Sequence, residues 1–157
     1  MADVITPVEH WLFAGVNRDV LRPALESGEE VRFLPGEVIF REGDEPDGLY
    51  LVTAGAARVV ATGEAGETFL AIVKSNDVLG EMGVLDGDKR SGTATSINIC
   101  VAYFIPSDPF LDLLEASSAV CMRLLALLTQ RLRVANGRLG ELPPSGVFTL
   151  DQLPPEI

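Results

Sequence analysis

The stretch LGEMGVLDGDKRSGTATS, residues 79–96, brings together groups suited to holding an anion and a sugar. Glu81 follows Gly80 directly. Arg90 comes nine residues later between Lys89 and Ser91, with Gly83 and Gly87 in the interval. A glycine followed by Glu-Met-Gly-Val-Leu predicts a sharp turn into one or two turns of helix. The N–H groups at such a start attract anions, and small residues let the anion approach the backbone. Arg90 supplies a planar, permanently charged fork that matches two phosphate oxygens, and Ser91 can add a hydroxyl. Glu81 is a poor neighbour for phosphate. As an acceptor-only group it suits a hydroxyl donor such as ribose. Phosphate and ribose together mean a nucleotide. The chain has no Walker-type loop with its lysine, which favours one compact phosphate over a triphosphate. By spacing alone, Glu81 and Arg90 could equally form an exposed ion pair that staples a loop, contributing ~0–1 kcal/mol.

The elements that must carry this loop are legible from periodicity. Residues 7–27 have apolar positions at helical spacing, with Pro23 marking a break. Between 31 and 106 the pattern changes to short runs rich in β-branched and aromatic residues: 31–40, 49–60, 68–73 and 93–106. Gly and Asp clusters punctuate them, and Asn76 stands where a turn wants positive φ, which Asn tolerates. Such a series predicts a mainly β protein, an antiparallel, jelly-roll-like β-roll with flanking helices. Residues 107–142 return to helical spacing. Cys121, Leu125, Leu128, Leu132, Ala135, Leu139 and Leu142 step by four and three, a heptad seam. Leu124, Leu127 and Val134 lie off that seam, so the helix has either two apolar surfaces or one broad core-facing stripe. Residues 143–157 carry four of the ten prolines and read as a tail. The expected division is thus one domain over 1–142 and a Pro-rich tail over 143–157.

Composition narrows the function classes. The formal net charge of −11 over 157 residues opposes nucleic-acid binding and docking on an anionic membrane. No apolar run reaches the ~18 residues a membrane span requires, and the first residues lack the pattern of a signal peptide, so the cytoplasm is expected. Cys100 and Cys121 are too few for a disulfide framework and read as reduced core residues. The single histidine, His10, cannot build a metal site and reads as a helix-surface or satisfied core residue. Asp44, Glu45 and Asp47 lack the distal glutamate of a calcium loop and read as turn residues. Arg123, Arg131, Arg133 and Arg138 read as the solvated face of the long helix, from which one could cap a base. No nucleophile–base pair or acid/base dyad is visible, so no enzymatic activity and no metal is expected.

Residues 79–96 resemble the phosphate-binding cassette of the cyclic nucleotide-binding domain family. LPGEVIFREGDEPDGLYLVTAGAARVV, with Gly36, Gly43, Asp44, Tyr50 and Gly55, is similar to that family's first strands. Residues 105–142 resemble the two helices that follow the roll in its bacterial catabolite activators, whose DNA-binding domain has no counterpart in the remaining fifteen or so residues. The resemblance implies a 3′,5′-cyclic nucleotide as ligand, cyclic AMP with cyclic GMP possible. It implies that Glu81 takes the ribose 2′-hydroxyl and that Arg90 and Ser91 take the phosphate. The backbone around Gly80, Met82 and Gly83 would complete the cradle, Leu70 and Ala71 would line sugar and base, and Ala135 and Asn136 would reach the adenine. Gly92 stands where the family usually has alanine, implying a looser cassette. Ala135 lacks the hydroxyl that addresses the base, with Asn136 able to substitute. The expected protein is a stand-alone regulatory sensor, a homodimer through the long C-terminal helix. The competing expectations are a degenerate interaction module and a truncated transcription regulator.

Overall fold

The computed structural model describes residues 4–139. Its N-terminal segment begins with a 3₁₀ turn, Pro7–Glu9, closed by Thr6 and Glu9, whose carboxylate accepts from the Thr6 N–H at 2.9 Å and from the Thr6 hydroxyl at 2.7 Å. Helix α1, Arg18–Ser27, starts where the Asn17 side chain accepts from the Asp19 N–H at 2.8 Å. The predicted helix over 7–27 is therefore two pieces, and the break is not at Pro23. It falls at 11–17, where Gly15 takes φ +76°. Pro23 lies inside α1. The hydrogen bond it forfeits belongs to the carbonyl of Asp19, an exposed residue where water can take over.

Eight strands follow: β1 Glu29–Phe33, β2 Val38–Phe40, β3 Gly48–Ala54, β4 Ala56–Gly63, β5 Gly66–Lys74, β6 Val78–Leu79, β7 Thr93–Ser96 and β8 Cys100–Pro106. Three of the predicted runs are each two strands. A turn closed by the Glu37 N–H on the Leu34 carbonyl divides the first, Gly55 at φ +75° divides the second, and residues 97–99 divide the last. The two-residue β6 was not expected, because its pairing with Tyr50 and Leu51 is non-local. All pairings are antiparallel, in two four-stranded sheets ordered β1-β8-β3-β6 and β2-β7-β4-β5. This is the expected β-roll. The cassette helix α2, Glu81–Asp86, follows β6, and α3, Ser107–Ala116, and α4, Ser118–Leu139, follow β8. Ser117 separates the last two and caps α4 by accepting from the Val120 N–H at 3.2 Å.

Strand β3 is buried along its whole length. Leu49 and Leu51 face a core shared with the helices, alongside Leu12, Phe13, Phe110, Val120 and Leu124. Tyr50 and Val52 face the other sheet, among Phe40, Val59, Leu70 and Cys100. Period-two alternation thus sends side chains into two cores from one strand. Cys100 is in the inter-sheet core, where burial pushes its thiol up to about 11, but Cys121 is only half-buried on α4 and is not a core residue. The helix has two distinct apolar surfaces: Val120 and Leu124 are buried, whereas Met122, Leu125 and Leu132 are exposed. The seam's Leu142 and the tail 143–157 lie outside the described residues, as do the side chains of Ala135 and Leu139.

His10 is a satisfied core residue that ties the N-terminal segment to the β5–β6 turn. Its Nε2 donates to the Asp77 carbonyl at 3.0 Å, and its Nδ1 accepts from the Leu12 N–H at 3.2 Å. In the same turn Asn76, at φ 75° as expected, accepts from the Trp11 N–H at 2.9 Å. Burial lowers the His10 pKa below its ordinary value, against the opposing effects of the Asp77 carbonyl and carboxylate. The unfolded chain therefore binds a proton at a higher pH than the folded chain. The histidine's stability contribution is complete above about pH 6.5 and falls as the pH drops from there toward the depressed folded-state value, by at most ~1.4 kcal/mol per pH unit. Urea unfolding of wild type and His10→Gln at pH 7.5, 6 and 5 is expected to show a steeper acid loss for wild type. Parallel pH dependences would refute the assignment.

Candidate functional site

The cassette is organised by one buried guanidinium. Arg90 donates from Nη1 to the Gly80 carbonyl at 2.8 Å, and from Nη2 to the Gly48 carbonyl at 2.5 Å and to Asp47 Oδ1 at 3.1 Å. Its Cζ lies 4.3 Å from the Phe40 ring centroid, a cation–π contact. Backbone bonds from the Gly43 N–H to the Arg90 carbonyl and from the Arg90 N–H to the Asp44 carbonyl, both 2.9 Å, fix the same residue from behind. The EGDEPDG turn and Arg90 of the cassette, more than forty residues apart in sequence, are thereby one unit. Asp44 is a turn residue, as read, with its carboxylate accepting from the Arg41 N–H at 3.0 Å. Asp47 is more than that, since it is the ion partner of Arg90.

Gly80 is required by the same arrangement. It has φ +86°, and a Cβ there would lie 2.5 Å from Arg90 Nη1. Side chains rarely adopt this backbone region, and here one would also strike the guanidinium. Gly92 sits close against β4. A Cβ on it would meet the Val60 carbonyl at 2.9 Å and Val59 Cγ1 at 3.0 Å. Glycine at this position lets the cassette approach β4 closely.

Five of the expected cradle residues, Gly80, Met82, Gly83, Arg90 and Ser91, line one cavity of about 230 Å³, joined by Phe40, Val59 and Gly92. Ala71 is half-buried and pairs across the ladder with Val59, which puts it beside that cavity. Leu70 does not line it. A bulge between Val59 and Val60 turns Leu70 into the inter-sheet core, where it is 2% exposed. Asn136 is exposed on the last turns of α4, and the side chain of Ala135 lies outside the described residues.

Glu81 is fully buried and does not pair with Arg90. Its Oε1 accepts from Arg131 Nη1, and Arg131 Nη2 donates to the Val78 carbonyl at 3.0 Å. Two of the arginines read as a solvated helix face are thus structural. Arg131 reaches the cassette, and Arg123 donates to the carbonyls of Trp11 and Leu12 at 3.0 and 3.2 Å. Arg131, Asp47 and Phe40 are the site residues that sequence reasoning missed. The only available signal was Arg131's position one turn before Ala135 and Asn136 on the helix already expected to face the ligand.

Among the described residues, two buried side-chain polar atoms have no hydrogen-bond partner: Glu81 Oε2 and Arg90 Nε. Leaving such groups unmatched costs ~1–3 kcal/mol each. One is an acceptor and the other a donor, flanking the same glycine turn. A ligand that offers a hydroxyl donor and an anionic oxygen acceptor matches both. Among the described residues, no group of three or more His, Cys, Asp or Glu stands together as metal ligands.

The model of the cyclic nucleotide-binding domain matches residues 30–117, a span that holds the cassette and all eight strands except the first residue of β1. The cyclic AMP receptor protein of Thermus thermophilus is 32% identical over 126 residues, covering 80% of this chain and 58% of that protein. The CRP-like cAMP-activated global transcriptional regulator of Mycobacterium tuberculosis is 27% identical over 132 residues, covering 83% and 59%. The chain therefore spans about three fifths of the length of these relatives. The crystal structure of the Thermus thermophilus catabolite activator protein superposes with a TM-score of 0.72 at 31% identity, over 83% of this chain and 62% of that one. With its β-roll, cassette and trailing helices in this order, the chain belongs to the cyclic nucleotide-binding domain family.

Proposed function

We propose that the chain is a regulatory sensor that binds a 3′,5′-cyclic nucleotide, cyclic AMP in preference to cyclic GMP, and has no enzymatic activity of its own. The observation that carries this reading is the pair of unmatched buried atoms at the cassette, Glu81 Oε2 and Arg90 Nε. A cyclic nucleotide offers the ribose hydroxyl and the singly charged phosphate that they lack. The names of both relatives above include cyclic AMP, which supports it as the ligand. The ligand would lie with its phosphate over Gly80, Met82 and Gly83, between Arg90 and Ser91. Binding shifts the population between arrangements of α4, and the helix carries the output. The strongly acidic chain does not bind nucleic acid or an anionic membrane and works in the cytoplasm; no described helix is long and apolar enough to cross a membrane.

Arg90→Leu tests the site. It removes the cation facing the phosphate, which costs ~2–5 kcal/mol of binding, or roughly 30- to several-thousand-fold in affinity. Cyclic AMP and cyclic GMP are affected alike. The substitution also strands the carbonyls of Gly80 and Gly48, so stability falls by about 2 kcal/mol or more. Calorimetric titration beside chemical unfolding measures both. A folded Arg90→Leu protein that binds cyclic AMP as tightly as wild type removes the assignment.

The exposed surface of α4 supports a homodimer through that helix. Met122, Leu125 and Leu132 are 63%, 49% and 55% exposed, on the side of the helix away from Val120 and Leu124. Leu132→Asp puts a charge into the seam and is expected to give a monomer by light scattering. A wild-type protein that is monomeric at tens of micromolar contradicts the dimer.

A further inference from the structure

The charged side chains that line the cassette cavity cancel one another. Arg90 is the buried cation, at 4% exposure and with Nε unmatched. Lys89 is an exposed second cation at the same cavity. Against them stand Asp86 and Asp88, both exposed and both lining it. Asp47, which accepts from Arg90 Nη2 at 3.1 Å, neutralises a further share of the buried charge from behind. A pocket built only to hold phosphate tightly would gather cations and bare N–H groups. Here one such N–H is already taken, because the Asp88 N–H donates to Asp86 Oδ1 at 2.8 Å. That bond holds the Asp86 carboxylate in place at the end of α2, and Gly87, at φ +75°, ends the helix between the two aspartates.

We propose that Asp86 and Asp88 are specificity-determining residues that limit the cassette to a phosphate of single charge, a phosphodiester, and exclude phosphomonoesters such as AMP. This rests on the cyclic-nucleotide reading of the site and adds what that site rejects. A cyclic phosphodiester carries one negative charge. A phosphomonoester, with a second pKa of about 6, carries nearly two at neutral pH. The first charge is met by the unmatched donor of Arg90. The second enters a lining whose charges already balance, so it gains no net attraction there and still loses its hydration. The net charge of −11 on the whole chain acts in the same direction. Asp86 and Asp88 look in sequence like ordinary residues of a glycine–aspartate turn. Only their place on one cavity with Arg90 gives them a second role.

The test is calorimetric titration of the 157-residue chain and its Asp86→Asn/Asp88→Asn double variant with cyclic AMP and with AMP, at pH 8 and at pH 5. Asparagine keeps the Oδ1 acceptor of residue 86, so the turn is retained. One exposed charge acting through water across a cavity of about 230 Å³ changes affinity by about two- to three-fold per ligand charge. At pH 8 the double variant is therefore expected to bind cyclic AMP about five-fold more tightly than wild type and AMP about twenty-five-fold more tightly. At pH 5, where AMP has fallen to a single charge, the two gains are expected to be equal. Cyclic AMP keeps its charge between these conditions and so corrects for titration of the chain itself. Wild type decides the matter if the variant does not fold: its affinity for AMP relative to cyclic AMP is expected to rise as the pH falls from 8 to 5. Equal gains for both nucleotides at pH 8, no gain for either, AMP binding still undetectable in the variant, or a wild-type ratio that does not move with pH would each overturn the role of the two aspartates. A wild-type chain that does not bind cyclic AMP overturns the cyclic-nucleotide reading as a whole.

Discussion

The site depends on satisfying the buried charge of Arg90. A guanidinium at 4% exposure is tolerated only when its solvation is replaced. Here the replacements come from three separate parts of the chain. Gly80 gives a carbonyl from the cassette, Asp47 and Gly48 give a carboxylate and a carbonyl from the start of β3, and Phe40 gives a ring face from β2. Each partner is fixed by its own element, so the arginine fixes the cassette to the roll. The same residue keeps Nε unmatched. In the proposed function, anchor and recognition group are then one side chain, with the anchor holding the loop in place beside the cavity.

A second junction centres on residues 76–78. The Asn76 carboxamide and the Asp77 carbonyl receive the N-terminal segment through Trp11 and His10, and the Val78 carbonyl receives Arg131. Arg123 ties the first turns of α4 to Trp11 and Leu12. The N-terminal segment, the β5–β6 turn and α4 thus form a closed circuit, and the turn runs directly through β6 into Gly80 and Glu81. A change at the Glu81 carboxylate meets α4 after a single side chain. Little material separates the proposed binding event from the proposed output.

The double burial of β3 gives this arrangement its rigidity. A strand whose two faces enter two cores cannot slip by one residue without exchanging Tyr50 and Val52 for Leu49 and Leu51. Its first residue, Gly48, is one of Arg90's partners, so the register of β3 also sets the height of the guanidinium under the cassette. Packing in the centre of the molecule and geometry at the site are the same constraint.

The sequence by itself determined the β-roll, the order of its elements and the cassette. These follow from local signals: alternation in the strands, heptad spacing in α4, and a glycine-flanked Glu81 with Arg90 and Ser91 close by in the chain. It also marked Asn76 as a positive-φ turn residue, because that requirement is local too. Tertiary structure decided the partners. The Glu81–Arg131 pair spans fifty residues, the Arg90–Asp47 pair forty-three, and neither has a spacing to announce it. An arginine on an amphipathic helix looks the same in sequence whether water or a carboxylate faces it. Pro23 was misread for a related reason, since the cost of a proline depends on whether the carbonyl it frees is exposed. Leu70 went to the core because a bulge, invisible to periodicity, changed the face it occupies. Side-chain identity and period fix which surfaces must be buried; which charged groups meet there depends on how the two sheets and α4 dock, and that is settled only by packing across the whole chain.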